Sequence, residues 1–294
     1  MKRFAIAFLF LSLISQASPQ KNILLIFPHP DDETMIRSVI MRLVEAGNSV
    51  SAIYLTRGEG GSDRKGNQTP EQLAQTRTTE LENAAKLYGY KHLYQLKNPD
   101  NPLRDPATHI PSRDATQFLN PKGPWDVAQI KNDIEKIART EQPDIVITFF
   151  PDQPGTHAHH RATAALVERQ YEEHRLGSHV EGLFGFSEDP VVSGASMKVA
   201  VGKQCIEFSP RLLSMPSGPY HGKAYGEVGT DAALAHVSQL KGDTGKFIKN
   251  WKENPSEVLA PIHSPHGLTP LIEALGDVKG MKILEASCDQ ALTK

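Results

Sequence analysis

The sequence predicts an α/β fold: a doubly wound, mostly parallel sheet between layers of helices, with a C-terminal α+β extension. Three observations carry that prediction. The run Asn22-Ile23-Leu24-Leu25-Ile26-Phe27 is almost continuously apolar, as a parallel strand buried on both faces must be. Strand-like runs then alternate with helix-period segments as far as residue 150, the pattern of stacked βαβ units. Finally, 39% hydrophobic residues in a chain of 294 supply a core and exclude a mainly disordered protein. The 32 Lys+Arg against 34 Asp+Glu leave no basic excess to neutralise a run of phosphates, so nucleic acid is not an expected partner.

The first element lies outside that fold. Met1-Lys2-Arg3 is positive, Phe4–Ile14 is apolar but for Ser12, and Ser15-Gln16-Ala17 places small residues two apart. This is the layout of a signal peptide over residues 1–17, cleaved after Ala17, and it predicts a secreted or periplasmic protein. The eleven-residue apolar stretch is about half the ~20 residues of a spanning helix, and no later segment is a better candidate.

Past the first strand, Pro28-His29-Pro30-Asp31-Asp32-Glu33 is polar, and Ile36, Val39, Ile40, Leu43 and Val44 recur at helical spacing up to Gly47. Val50–Leu55 reads as the second strand and Thr56–Pro70 as a glycine-rich loop. A helix follows from about Glu71 to Tyr88, with Leu73, Leu81, Ala84 and Tyr88 on one face. His92–Leu96 is a third strand, and the proline-rich segment 97–124 a long surface loop of the functional kind. Val127, Ile130, Ile134, Ile137 and Ala138 define a third helix, and Asp144–Phe150 a fourth strand. Beyond about residue 188 the periodicity weakens, so 18–188 reads as the core and 189–294 as the completion of the same domain. Cys205 and Cys288 could close one long loop or lie buried separately; their spacing is not that of a zinc ribbon.

In such a sheet, ligands bind beyond the carboxyl ends of the strands. Two polar clusters belong at that edge: His29-Pro30-Asp31-Asp32-Glu33 after the first strand, and Gly155-Thr156-His157-Ala158-His159-His160 after the fourth. Two imidazoles and a carboxylate drawn from them make a three-ligand N/O set with an open position, as in a catalytic zinc site. Asp31 or Asp32 could instead cap the following helix. Two adjacent acids also permit a division of labour, one on the metal and one accepting a proton from water. Arg77 falls on the apolar stripe of its helix, where an arginine must be paired, with Glu80 for example, or face a cleft.

These residues carry a resemblance. His29-Pro30-Asp31-Asp32-Glu33 after an apolar strand resembles the signature of the LmbE-like, or PIG-L, zinc-dependent N-deacetylases. His157-x-x-His160-Arg161-Ala162-Thr163 resembles the family's second metal segment. Thr56-x-Gly58-Glu59-x-Gly61, Arg77-x-x-Glu80 and Ala235-His236-x-Ser238-Gln239 follow in family order. The resemblance implies a Rossmann-like three-layer αβα core and a Zn2+ ion held by His29, Asp32 and His160. It implies Asp31 as general base, and His157 as the group that stabilises the oxyanion or protonates the leaving amine. Arg77 and Asp105 would contact an N-acetyl sugar of the N-acetylglucosamine type, from which the enzyme would remove the acetyl group. Two readings compete with this: a catalytically weakened zinc or carbohydrate-binding protein on the same fold, and a hydrolase of a non-sugar N-acyl amide. One departure motivates the first. The family commonly has Pro-Asp between the two histidines, where this chain has Ala158-His159.

Overall fold

The computed structural model describes residues 20–61, 66–100, 103, 112–151, 157–186, 205–208, 215, 221–239, 257–276 and 282–284. Residues 1–17, Asp105 and Cys288 lie outside them; Cys205 is buried. In chain order the strands are β1 (Asn22–Phe27), β2 (Ser49–Thr56), β3 (His92–Asn98), β4 (Ile145–Phe149), β5 (Gly182–Phe186), β6 (Cys205–Phe208), β7 (Glu257–His263) and β8 (Lys282–Leu284). The α-helices are α1 (Arg37–Glu45), α2 (Pro70–Tyr88), α3 (Thr116–Leu119), α4 (Val127–Glu141), α5 (Ala158–Glu172), α6 (Tyr225–Ala233) and α7 (Thr269–Leu275).

The strands form one sheet in the order β3-β2-β1-β4-β5-β7-β6-β8. The first five are parallel, as the alternation of elements predicts, and the last three join antiparallel beyond β5. The fold is thus a three-layer α/β sandwich with an antiparallel C-terminal extension. Alternation along β1 divides its side chains between two cores. Ile23, Leu25 and Phe27 pack with Val39, Ile40, Leu81 and Leu271 on one face. Leu24 and Ile26 pack with Ile130, Ile134, Ala162 and Leu166 on the other. A strand covered on both faces has no polar side, which is why its sequence is a continuous apolar run.

Helix boundaries follow local chemistry. α2 starts on a capping box, Thr69 accepting from the Gln72 N–H while the Gln72 side chain accepts from the Thr69 N–H, with Pro70 in the first turn. It stops at Gly89, whose φ of 79° suits glycine best. The segment 97–124 is not loop throughout: Thr116–Leu119 makes the short helix α3, seated by Phe118 against Trp125. The polar stretch after β1 winds into a 3₁₀ turn, Asp32–Ile36, before α1 begins.

α1 is capped from a distance. The Glu257 carboxylate of β7 accepts the backbone N–H groups of Ser38 and Val39 at 2.8–3.0 Å, satisfying donors that a helix start leaves open. It is buried, with 4% of its surface exposed. Glu257→Ala strands those N–H groups and is expected to lower the unfolding free energy by about 2–3 kcal/mol, measured by urea denaturation.

Candidate metal centre and active site

Strand order reverses between β1 and β4, which lie side by side although β2, β3 and their helices separate them in the chain. In this architecture such a reversal opens a crevice beyond the carboxyl ends of the strands, and His29, Asp31 and Asp32 after β1 lie at that edge with His157, His159 and His160 at the start of α5. Side-chain hydroxyls tie down the rim. Thr56 donates to the Pro28 carbonyl at 2.9 Å, and Thr148 to the Ile26 carbonyl at 2.8 Å.

His29, His157 and His160 each turn a ring nitrogen to a common region, these atoms lying within 4.8 Å of one another. Asp32 bridges two of them, with Oδ1 2.9 Å from His160 Nε2 and Oδ2 3.4 Å from His29 Nδ1. The His29 N–H holds Asp32 in place by donating to Oδ2 at 2.8 Å. His160 stacks on Phe149 with a ring separation of 4.1 Å, which fixes its plane. His157 immediately precedes α5 and His160 lies in its first turn, so one helix start delivers both rings. A set of imidazoles and one carboxylate, His157 half-buried and the others buried, fits a borderline cation such as zinc better than a hard one such as magnesium.

Asp31 stands beside this set in a backbone conformation rare for anything but glycine, φ 116°. Glu33 stabilises it: Oε2 accepts the Asp31 N–H at 3.1 Å and the Tyr54 hydroxyl at 2.9 Å, while Oε1 lies 2.6 Å from His236 Nε2. Burial, and then the charge of Asp32, push the Asp31 carboxyl up to about 7, with Arg77 and His236 opposing. His157 moves the other way. Burial, reinforced by His160 and His29, holds it well below the ordinary histidine range, so its ring is neutral. Burial opposes a charge on His236, yet Glu33 raises its pKa.

The match to known families is decisive at this point. The PIG-L family model, described as GlcNAc-PI de-N-acetylase, matches residues 24–171, half of the chain. The chain belongs to the PIG-L family. It is 28% identical over 152 residues to a Bacillus anthracis protein named "Probable N-acetyl-alpha-D-glucosaminyl L-malate deacetylase 2", a match covering 50% of this chain and 58% of that one. It is 24% identical over 262 residues to a Thermobifida fusca 1D-myo-inositol 2-acetamido-2-deoxy-alpha-D-glucopyranoside deacetylase, covering 75% and 84% of the two chains. The chain thus spans little more than half the length of the first of these relatives. Among solved structures, N,N'-diacetylchitobiose deacetylase from Pyrococcus horikoshii aligns over 94% of this chain and 88% of its own, with a TM-score of 0.51 and 22% identity. That likeness is one of fold.

Within this PIG-L chain, the other family-like motifs converge on the same crevice. Arg77 is buried against the glycine-rich loop; a Cβ on Gly58 or Gly61 would come within 2.7 Å of its side chain and force it to shift. Glu80 accepts from the Ser238 N–H at 2.6 Å and the Ser238 hydroxyl at 2.7 Å, and Gln239 donates to the Pro30 carbonyl at 3.2 Å. The segment 235–239 therefore buttresses the first cluster. At the opposite end of the sheet, His263 of β7 pairs with Glu168 at 2.9 Å, next to Leu183 near the amino end of β5.

One residue of the site escapes the sequence reading. Asp100, two positions past β3, is 4% exposed, with Oδ1 3.4 Å from His29 Nε2 and 3.2 Å from His159 Nδ1. The available signal was an acid just beyond the carboxyl end of a parallel strand, the edge where the two histidine clusters also lie. The arrangement predicts that the purified protein, saturated with zinc and desalted, retains close to one equivalent by elemental analysis. His160→Ala is expected to retain less than half as much under the same treatment.

Proposed function

We propose that this PIG-L protein is a zinc-dependent N-deacetylase that releases acetate from an N-acetylglucosamine-type amino sugar or its conjugate. One observation carries the reading: His29, Asp32 and His160 meet at the strand-order reversal with Asp31 and His157 beside them. The names of the Bacillus and Thermobifida relatives, a probable and a named deacetylase of such sugars, support the substrate class.

In this reading His29, Asp32 and His160 hold the metal. When bound, zinc supplies Lewis acidity, polarising the acyl carbonyl and making water more acidic. The chain's own groups do the rest. Asp31, held at its unusual φ by Glu33, takes a proton from the water that adds to the acyl carbon. His157, neutral, offers a ring N–H to the oxygen on which negative charge develops. The C–N bond then breaks, and the proton taken from water passes to the nitrogen, giving acetate and a free amine. Arg77, the cation on the α2 side of the crevice, is assigned to the sugar hydroxyls, and Asp105 is carried to the same role by the resemblance alone.

Asp31→Asn is expected to bind zinc normally and to lose at least about 10²-fold in turnover, scored as acetate release from a panel of N-acetylated sugars. An unchanged rate overturns the base assignment. Zinc binding without acetate release from any sugar in the panel moves the reading to a binding protein or a non-sugar amide hydrolase. Export rests on the Met1–Ala17 pattern alone. N-terminal sequencing of protein secreted from a bacterial host is expected to begin at Ser18, and retention of Met1 overturns it.

A further inference from the structure

The histidine at position 159, where the resemblance leads one to expect an acid, has close partners. His159 is 1% exposed and clamped between aromatic rings, stacked on Trp125 at 5.2 Å and edge-on to Phe118 at 4.2 Å. Its Nδ1 lies 2.8 Å from His29 Nε2 and 3.2 Å from Asp100 Oδ1, and those two atoms are 3.4 Å apart. Three lone pairs facing one another at such distances repel, so protons lie among them. A carboxylate has none to give and must be the acceptor.

Asp100 is built for that task. Its backbone N–H donates to Glu59 at 2.9 Å, and its Oδ2 accepts from the Gly60 N–H at 3.1 Å, which leaves Oδ1 aimed at the two rings. The Trp125 indole N–H holds the preceding carbonyl, Pro99 O, at 3.1 Å. The ring that stacks on His159 thus also anchors the backbone next to Asp100. His29 turns its other nitrogen, Nδ1, toward Asp32.

We infer that Asp100, with His159 beside it, is the positioning carboxylate that keeps the proton of His29 on Nε2 and so leaves Nδ1 to ligate the metal. A ligand histidine needs such a partner to fix its tautomer and ring plane. The carboxylate stands behind position 159, supplied by the segment that follows β3. Asp100 is thus a positioning residue that acts through His29.

The inference rests on the metal reading above, and zinc affinity measured by chelator competition on full-length protein tests it. Asp100→Asn, nearly isosteric, is expected to weaken zinc binding about 10- to 100-fold. Adding His159→Asp to that variant, which returns an acid directly beside His29 Nε2, is expected to recover most of the loss, an outcome that general damage to the fold would not produce. Should Asp100→Asn fail to fold, His159→Phe carries the test: it fills the same aromatic slot without a ring nitrogen, and a loss of about 10-fold is expected. Wild-type affinity in folded Asp100→Asn or in His159→Phe, or no recovery in the double variant, overturns the inference. So does a second zinc equivalent that Asp100→Asn removes while the first keeps its affinity, since the three atoms would then be a metal site of their own. Wild-type protein that binds no zinc overturns the metal reading itself, and is told apart from these results by that alone.

Discussion

The buried carboxylate of Glu33 is the contact on which the site's geometry hangs. It is fully enclosed, and it receives the Asp31 N–H, the Tyr54 hydroxyl of β2 and the His236 ring that follows α6. A carboxyl group in such a place is tolerable only with its hydrogen-bonding capacity filled, and these three partners fill it; burial opposes a charge on His236, yet this same carboxylate raises its pKa. Holding Asp31 at φ 116° costs about 1–3 kcal/mol, and the Glu33 contacts offset it. Three segments distant in sequence are thereby brought to one point, and the candidate base is aimed by groups that have no part in the chemistry.

The same logic extends outward. Glu80 anchors Ser238, Gln239 grips the Pro30 carbonyl, and Glu257 caps α1 from the antiparallel extension. The C-terminal third thus supports the first cluster from behind, which gives a structural role to a region whose periodicity is weak. Each anchor is a polar side chain bonded to backbone across the fold, so it leaves no mark on local hydrophobic pattern.

Much of the parallel core was legible because its signals are local. β1 reads as a buried strand from six consecutive residues, α2 from its cap and stripe, and the two histidine clusters from their position just after apolar strands. The antiparallel strands were not legible individually. β6 and β8 are four and three residues long, and their identity comes from pairing with β7 and with each other. Asp100 was missed for a related reason. It sits in a proline-rich stretch that looks like surface, and its approach to the first turn of α5 is a contact made only in the folded chain.

By itself the sequence determined the α/β class, the order of the core elements, and a chemical vocabulary of imidazoles and carboxylates at one edge of a sheet. These follow from periodicity and composition, which act between near neighbours in the chain. Tertiary structure alone decided which of those groups meet. His29 and His159 are 130 positions apart, and their 2.8 Å approach exists because β1 and β4 are neighbours in the sheet. It likewise decided that the charge backing His29 comes from Asp100 and that Glu33 looks inward. Contacts of that kind depend on the packing of whole layers, and no short window of sequence encodes them.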